Sequence, residues 1–355
     1  MKRRDFIKFT AAGSTLSCIS PRFSAAESAQ NWRTYRLSYH INLPAKGATA
    51  QLWLPLPKTA SGWQQASKVE YIGEADVNHT IDDTDASYYH ASWQDGKTRQ
   101  CIVSCLVRTA DRSVAATSLA SSKKTPLPKD VQIFLQPSQH IPLDGIVLDT
   151  AREATKGAHT PLEKARAIYE WVVENSFRDP KTQGCGLGDI KSMLEMGNLG
   201  GKCADISSLF VGLARASGIP AREVFGIRAA ESKLFKSLGK GGGDVTRAQH
   251  CRAEFYLAGH GWVPVDPADV RKAVLEEQLA LNDPKIAALR AKLFGYWEMN
   301  WVAFNHARDF SLKPQAASNP INFLMYPYAE LEGTPREQLV PDQFIYRIAA
   351  EELAA

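Results

Sequence analysis

The chain has 355 residues, is 44% hydrophobic and 23% charged, and carries a formal net charge of +4. That length can bury a full core and build two domains. The positive balance lies in the first 26 residues, which hold five basic side chains and one acid. The remaining 329 residues carry 37 of each sign, so no charge argument for binding nucleic acid or an anionic surface survives, and neither is expected as a partner.

Residues 1–26 read as a twin-arginine export signal. Met1-Lys2-Arg3-Arg4-Asp5-Phe6 precedes an uncharged run from Phe9 to Ser20, and Ser24-Ala25-Ala26 supplies small residues at a cut site. The run is too short to span a bilayer, so no stable membrane anchor is expected. Cys18 follows Thr15-Leu16-Ser17, a poor lipoprotein box, and lipid attachment is not expected either. A periplasmic or secreted location follows. Cys101, Cys105, Cys185, Cys203 and Cys251 remain after cleavage. Five is too few for a disulfide scaffold, and an odd number leaves one thiol free or paired to another molecule.

Residues 27–140 read as an N-terminal β domain of sandwich type. Trp32–Tyr39 and Ala50–Pro55 look like strands, and Ser87–Trp93, a turn at Asp95-Gly96 and Arg99–Val107 look like a hairpin. Cys101 and Cys105 share a strand face but lie too far apart to bridge, so they are expected to pack in a core. Lys123–Pro128 is a linker or long loop.

Residues 141–275 read as an α+β core. Thr160-Pro161-Leu162-Glu163 opens a helix with a cap, a proline and a glutamate three residues on. Asp189 is placed to cap a short helix through Met196. The glycines of Cys185–Asp189 and Gly239–Gly243 lack nucleotide-loop order; the second run is expected to be a flexible excursion, even a lid. Gly200-Gly201-Lys202-Cys203 should let the backbone turn sharply and place a cysteine at a helix start. Ile206, Leu209, Phe210 and Leu213 then recur on one face, with Arg215, Gly218 and Pro220 as the stop. At a helix N-terminus the unsatisfied N–H groups and the macrodipole favour a thiolate.

Ala221–Ile227 reads as a strand, and His250–Leu257 with Trp262–Asp266 as a hairpin. On the first arm His250, Arg252, Glu254 and Tyr256 share one face and Cys251, Ala253 and Phe255 the other. A register pairing residues of equal parity puts His250 and Asp266 on one face; an odd register separates them. With that geometry His250 takes the Cys203 proton, Asp266 holds the imidazole tautomer, and the Cys203 N–H stabilises an oxyanion. Gln183 is the candidate second oxyanion donor. The cysteine and histidine spacings match no zinc signature, and no metal or cofactor is expected. From Val274 to Phe310 the chain looks helical, broken at Pro284 and Gly295, with Trp297, Trp301 and Phe304 at helical spacing. Phe323–Leu331 and Gln343–Ala349 look like closing strands, so residues 276–355 read as a helical segment plus the last strands of the core.

Gly-Gly-Lys-Cys203-Ala-Asp, Leu213-Ala214-Arg215-Ala216, Gly218-Ile219-Pro220-Ala221-Arg222, His250 and Gly261-Trp262-Val263-Pro264-Val265-Asp266-Pro267 resemble, in order, the transglutaminase-like superfamily. The resemblance covers about residues 160–270. It implies a papain-like α+β fold with a cysteine, histidine and aspartate triad at Cys203, His250 and Asp266, and an acyl-transfer enzyme of the peptidase, amidase or transglutaminase kind. Its substrates would be a peptide, a protein or a small amide. Cys251 and Arg252 depart from the alanine and tryptophan that usually follow the family histidine. Arg252 is a candidate for a substrate carboxylate or for an ion pair with Glu254 or Asp266. Gln183 and Glu254 are the other candidate substrate-binding residues. Cys251 should point into the core as a free thiol, with Cys185 as its alternative partner.

Overall fold

Alternating apolar and polar side chains build the N-terminal sheets. Along strand Trp32–Asn42, Tyr35, Leu37, Tyr39 and Ile41 turn inward and are buried. Strands Gln100–Ala110 and Ile345–Leu353 pair with it on either side, both antiparallel. A second sheet runs Thr334–Pro335, Tyr328–Leu331, Ala50–Pro55, Ser87–Trp93 and Val77–Asp82. Its Leu52, Leu54, Tyr89 and Trp93 share one core with Tyr35, Leu37, Val103 and Ile348, which makes the pair a sandwich. Cys101 and Cys105 lie in that core as free thiols.

The structure is a computed structural model describing residues 31–44, 49–83, 85–94, 98–114, 126–339 and 345–354. The expected export signal with Cys18, the Asp95-Gly96 turn and Lys123–Thr125 lie outside the described residues. Residues 31–355 form one compact unit. No helix among the described residues is long and apolar enough to cross a membrane.

The remainder is a mixed α/β layer. A four-stranded antiparallel sheet runs Gly261–Val265, Gln249–Leu257, Ala221–Arg228 and Trp301–Asn305. Cys251, Ala253, Phe255, Val263 and Val265 form its apolar face, which packs on helix Cys203–Ala216. That helix is buried on every side from Cys203 to Arg215, because helices pack over the face the sheet does not cover. It ends as expected: Gly218 has φ +81° beyond the Ser217 cap, and the Arg215 guanidinium reaches the carbonyls of Ala221 and Gln136. Thr160 and Glu163 form the expected capping box, and Asp189 caps helix Ile190–Glu195.

Three expectations change. The segment read as helical to Phe310 holds helices Pro267–Glu276 and Pro284–Lys292 but then strands Tyr296–Trp297 and Trp301–Asn305. Trp301 to Asn305 are all buried, and an apolar run buried on both faces shows no strand period. The closing strands join the sandwich rather than the core: Tyr328–Leu331 pairs with Ala50–Trp53 and Ile345–Leu353 with Thr34–Asn42. Without them both sheets would expose an apolar edge. Finally, Gly243-Asp244 pairs with Ala349-Ala350 as an edge strand, and Gly239 packs so tightly on Ser232 that a Cβ would sit 2.2 Å from its nitrogen. The run is thus tied down at both ends, Gly239 against Ser232 and Gly243 in the edge strand.

Candidate active site

The glycines before Cys203 serve space rather than a turn. Gly200 and Gly201 form a short parallel pairing with Phe177-Arg178, without positive φ. A Cβ on Gly200 would stand 2.3 Å from the Phe177 ring, and one on Gly201 2.4 Å from the Asp205 carboxylate. Asp205 is the reason for that crowding. Its two oxygens accept from the backbone N–H groups of Lys202 at 2.9 Å, Leu187 at 3.0 Å and Gly188 at 2.9 Å. One carboxylate thus ties the start of the cysteine helix to the loop carrying Cys185. Gly186 has φ +89° and would put a Cβ 1.8 Å from Asp205, so this loop cannot carry a side chain there.

Cys203 sits in the first turn of its helix, 3% exposed. Its N–H belongs to the donors that the helix itself leaves unsatisfied. Next to it, the Ala204 N–H donates to the Cys185 carbonyl at 2.9 Å. Cys185 and Cys251 share a core cluster with Cys203, and the Cys185 thiol donates to the Gln249 carbonyl beside His250 at 3.5 Å. Hydrogen bonds from Cys185, then Cys251, outweigh burial and, with His250, hold the Cys203 thiol well below its ordinary range. The same contact with Cys203 pushes Cys185 up, and burial pushes up Cys251. All five described cysteines are free, so Cys185 and Cys251 are not bridged.

The hairpin has the even register. Ala253 faces Val265 and Glu254 faces Pro264, which sets His250 and Asp266 on one face. His250 Nε2 lies 2.8 Å from Asp266 Oδ2, which leaves Nδ1 free of that bond. The other Asp266 oxygen accepts from the Asp269 N–H at 2.9 Å and caps helix Pro267–Glu276. Asp269 was not foreseen from sequence. Its carboxylate lies 3.4 Å from His250 Nε2 and forms a two-point ion pair with Arg228, both side chains being nearly fully buried. Burial and Arg228 disfavour an imidazolium, but Asp269 and Asp266 overcome them and raise the His250 pKa. Burial and repulsion from Asp269 raise Asp266; Arg228 and His250 hold Asp269 down against the cost of burial.

Arg252 is spent within the protein. Its Nε is 3.3 Å from Asp266 Oδ2, its Nη1 donates to the Glu298 carbonyl at 3.1 Å, and its guanidinium lies 4.6 Å over the Trp301 ring. Of its two expected roles, the ion pair with Asp266 is the one the buried side chain makes. Glu254 is equally occupied, held ionised against burial by Arg112 and Arg222. Gln183 is exposed and lines a cleft beside Cys185. Trp297 and Trp301 cover the polar face of the hairpin. Their indole N–H groups donate to the carbonyls of Val265 at 3.1 Å and His250 at 2.9 Å, so each tryptophan pins one arm. Arg308 braces the cysteine loop through the carbonyls of Leu187 and Gly188.

His250, Asp266 and Asp269 bring donor atoms within 4.8 Å of one another, the spacing of a cation site. The guanidiniums of Arg228 and Arg252 already occupy that charge, so a divalent ion there would meet two fixed cations and the set does not fit one.

Comparison with known proteins gives the family and the fold. Residues 148–267 match the family model described as the core of the transglutaminase-like superfamily. A Haemophilus influenzae protein of uncharacterised function is 40% identical over 335 residues, covering 89% of this chain and 90% of that one. Among solved structures, a candidate cysteine protease from Cytophaga hutchinsonii shares the fold at TM-score 0.57 and 14% identity, over 92% of both chains.

Proposed function

The chain belongs to the transglutaminase-like superfamily, and on that premise we propose that it is an exported cysteine enzyme performing acyl transfer at amide bonds through a thioester on Cys203. One observation carries the reading: Cys203 opens a buried helix that packs on the strand bearing His250, whose Nε2 is 2.8 Å from the buried Asp266 carboxylate.

Each group then has one task. The Cys203 thiolate attacks the amide carbonyl carbon, and the Cys203 N–H receives the developing oxyanion, with Gln183 as the second donor. The His250 imidazolium passes its proton to the leaving nitrogen as the C–N bond breaks. Neutral His250 next takes a proton from water, or from an amine, as that nucleophile attacks the thioester and releases the thiolate. Asp266 orients the ring and stabilises its charge throughout. Hydrolysis by water, as in a peptidase or amidase, is the favoured outcome; attack by an amine would give cross-linking. Residues 1–26 are the export signal in this reading, and the working compartment is the periplasm or the exterior.

The test is mass spectrometry of protein extracts incubated with wild type or Cys203→Ala. New cleavages that require Cys203 support the hydrolase, and new isopeptide links the cross-linking enzyme. Identical extracts would favour a binding module that keeps the fold without the chemistry.

A further inference from the structure

A cleft of about 660 Å³ is lined by Gly200, Asp205 and Cys185, residues that flank Cys203 on its own chain and, through the 2.9 Å bond from the Ala204 N–H to the Cys185 carbonyl, across the loop. Its walls come from the cysteine loop, from helix Ile190–Glu195 and from residues 318–339. Leu187, Met193, Met196, Ile321, Phe323 and Leu339 supply most of the apolar lining. Asp189 and Asp205 are the charged residues among the described lining, and both carboxylates are engaged by neighbouring donors. Asp189 accepts from the Ser192 N–H and hydroxyl at the helix start. Asp205 accepts three backbone N–H groups. The remaining polar lining is neutral, including Thr182, Gln183, Ser318 and Gln338.

The rim is unusual for a protein surface. Leu187 is 66% exposed and Met196 73%, and Phe177, 45% exposed, lays its ring against Gly200 on the cleft wall. Two of the eight large hydrophobic side chains exposed among the described residues, Leu187 and Met196, thus line this cleft, and a third, Phe177, packs on its wall residue Gly200. Apolar side chains clustered around a concave site mark a surface that is covered when it works.

We propose that this cleft is the acyl-donor subsite and that it takes an uncharged, apolar peptide side chain beside the reacting amide, rejecting acidic and basic ones. The inference rests on the reading of Cys203 as nucleophile. A charged side chain would leave water for a lining that holds no cation and whose two carboxylates are already bound to backbone and hydroxyl donors, a cost that should separate rates by at least about 30-fold.

Three peptidyl vinyl sulfones, with Leu, Glu or Lys beside the electrophile, test this by intact-mass kinetics of Cys203 modification. Iodoacetamide, which has no side chain to place, reports the thiol alone. The expected order is Leu far ahead of both Glu and Lys. Met196→Glu and Leu187→Glu, at exposed positions, should each shift the Leu-to-Lys rate ratio toward Lys by about 10-fold. Equal rates for the three probes, or a ratio indifferent to both substitutions, overturn the subsite while Cys203 alkylation leaves the nucleophile standing. Failure of iodoacetamide to modify Cys203 overturns the nucleophile reading itself.

Discussion

Replacing Asp269 by asparagine tests the least expected part of the site. Six side chains balance there: Arg228, Arg252 and protonated His250 against Asp266, Asp269 and the Cys203 thiolate. Asp269 answers Arg228 directly, through contacts of 2.5 and 3.2 Å, and neither side chain is more than 4% exposed. At about 3 Å and an effective dielectric near 20, the attraction is about 5 kcal/mol. An amide in place of the carboxylate would keep the shape and lose the charge, stranding a buried guanidinium. Breaking such a pair from one side costs about 3–5 kcal/mol, a large share of the roughly 5–15 kcal/mol that holds a domain folded. Guanidinium denaturation should show that loss with an unchanged m-value. Arg228→Met combined with Asp269→Leu should recover most of it, since an apolar pair of similar volume needs no partner. The same Asp269→Asn change should lower the His250 pKa, because it removes one raising carboxylate and leaves the opposing guanidinium. A loss below about 1 kcal/mol, with the double variant no better than the single one, would refute the balance of charges.

Other outcomes follow from the same contacts. Gly186→Ala would drive a Cβ into the Asp205 carboxylate at a backbone angle that disfavours side chains, and should cost at least about 2 kcal/mol by denaturation. Burial opposes ionisation of Asp309, but hydrogen bonds from the His140 ring and backbone N–H lower its pKa to about 2. A lowered carboxyl stabilises the fold above its unfolded value near 4 and loses that contribution as pH falls toward 2. The acid limb of a stability–pH curve should therefore flatten in Asp309→Ala. Cys185→Ala removes the first of the hydrogen bonds that favour the Cys203 thiolate, and the pH profile of Cys203 alkylation should move upward.

What the sequence disclosed was what local pattern can encode. The Cys203 helix has a start, an apolar period and a stop, and the hairpin needs only parity to bring His250 and Asp266 together. Contacts that close over long separations left no such trace. Trp301 reads as one more apolar residue at helical spacing, yet it holds the His250 carbonyl 51 positions away. Asp269 and Arg228 are ordinary charges until the fold buries them face to face. Gly201 suggested a turn because glycine is the usual turn residue, whereas its use is to make room for Asp205. Arg252 and Glu254 share the site face as expected, and only the surrounding Asp266, Arg112 and Arg222 decide that they are spent.

The most direct measurement is the pH dependence of iodoacetamide labelling at Cys203, read by peptide mass spectrometry in wild type and His250→Ala. An apparent pKa well below the unperturbed thiol value near 8.5 in wild type, rising when His250 is removed, is the expected result. A value near 8.5 in both proteins would contradict the account.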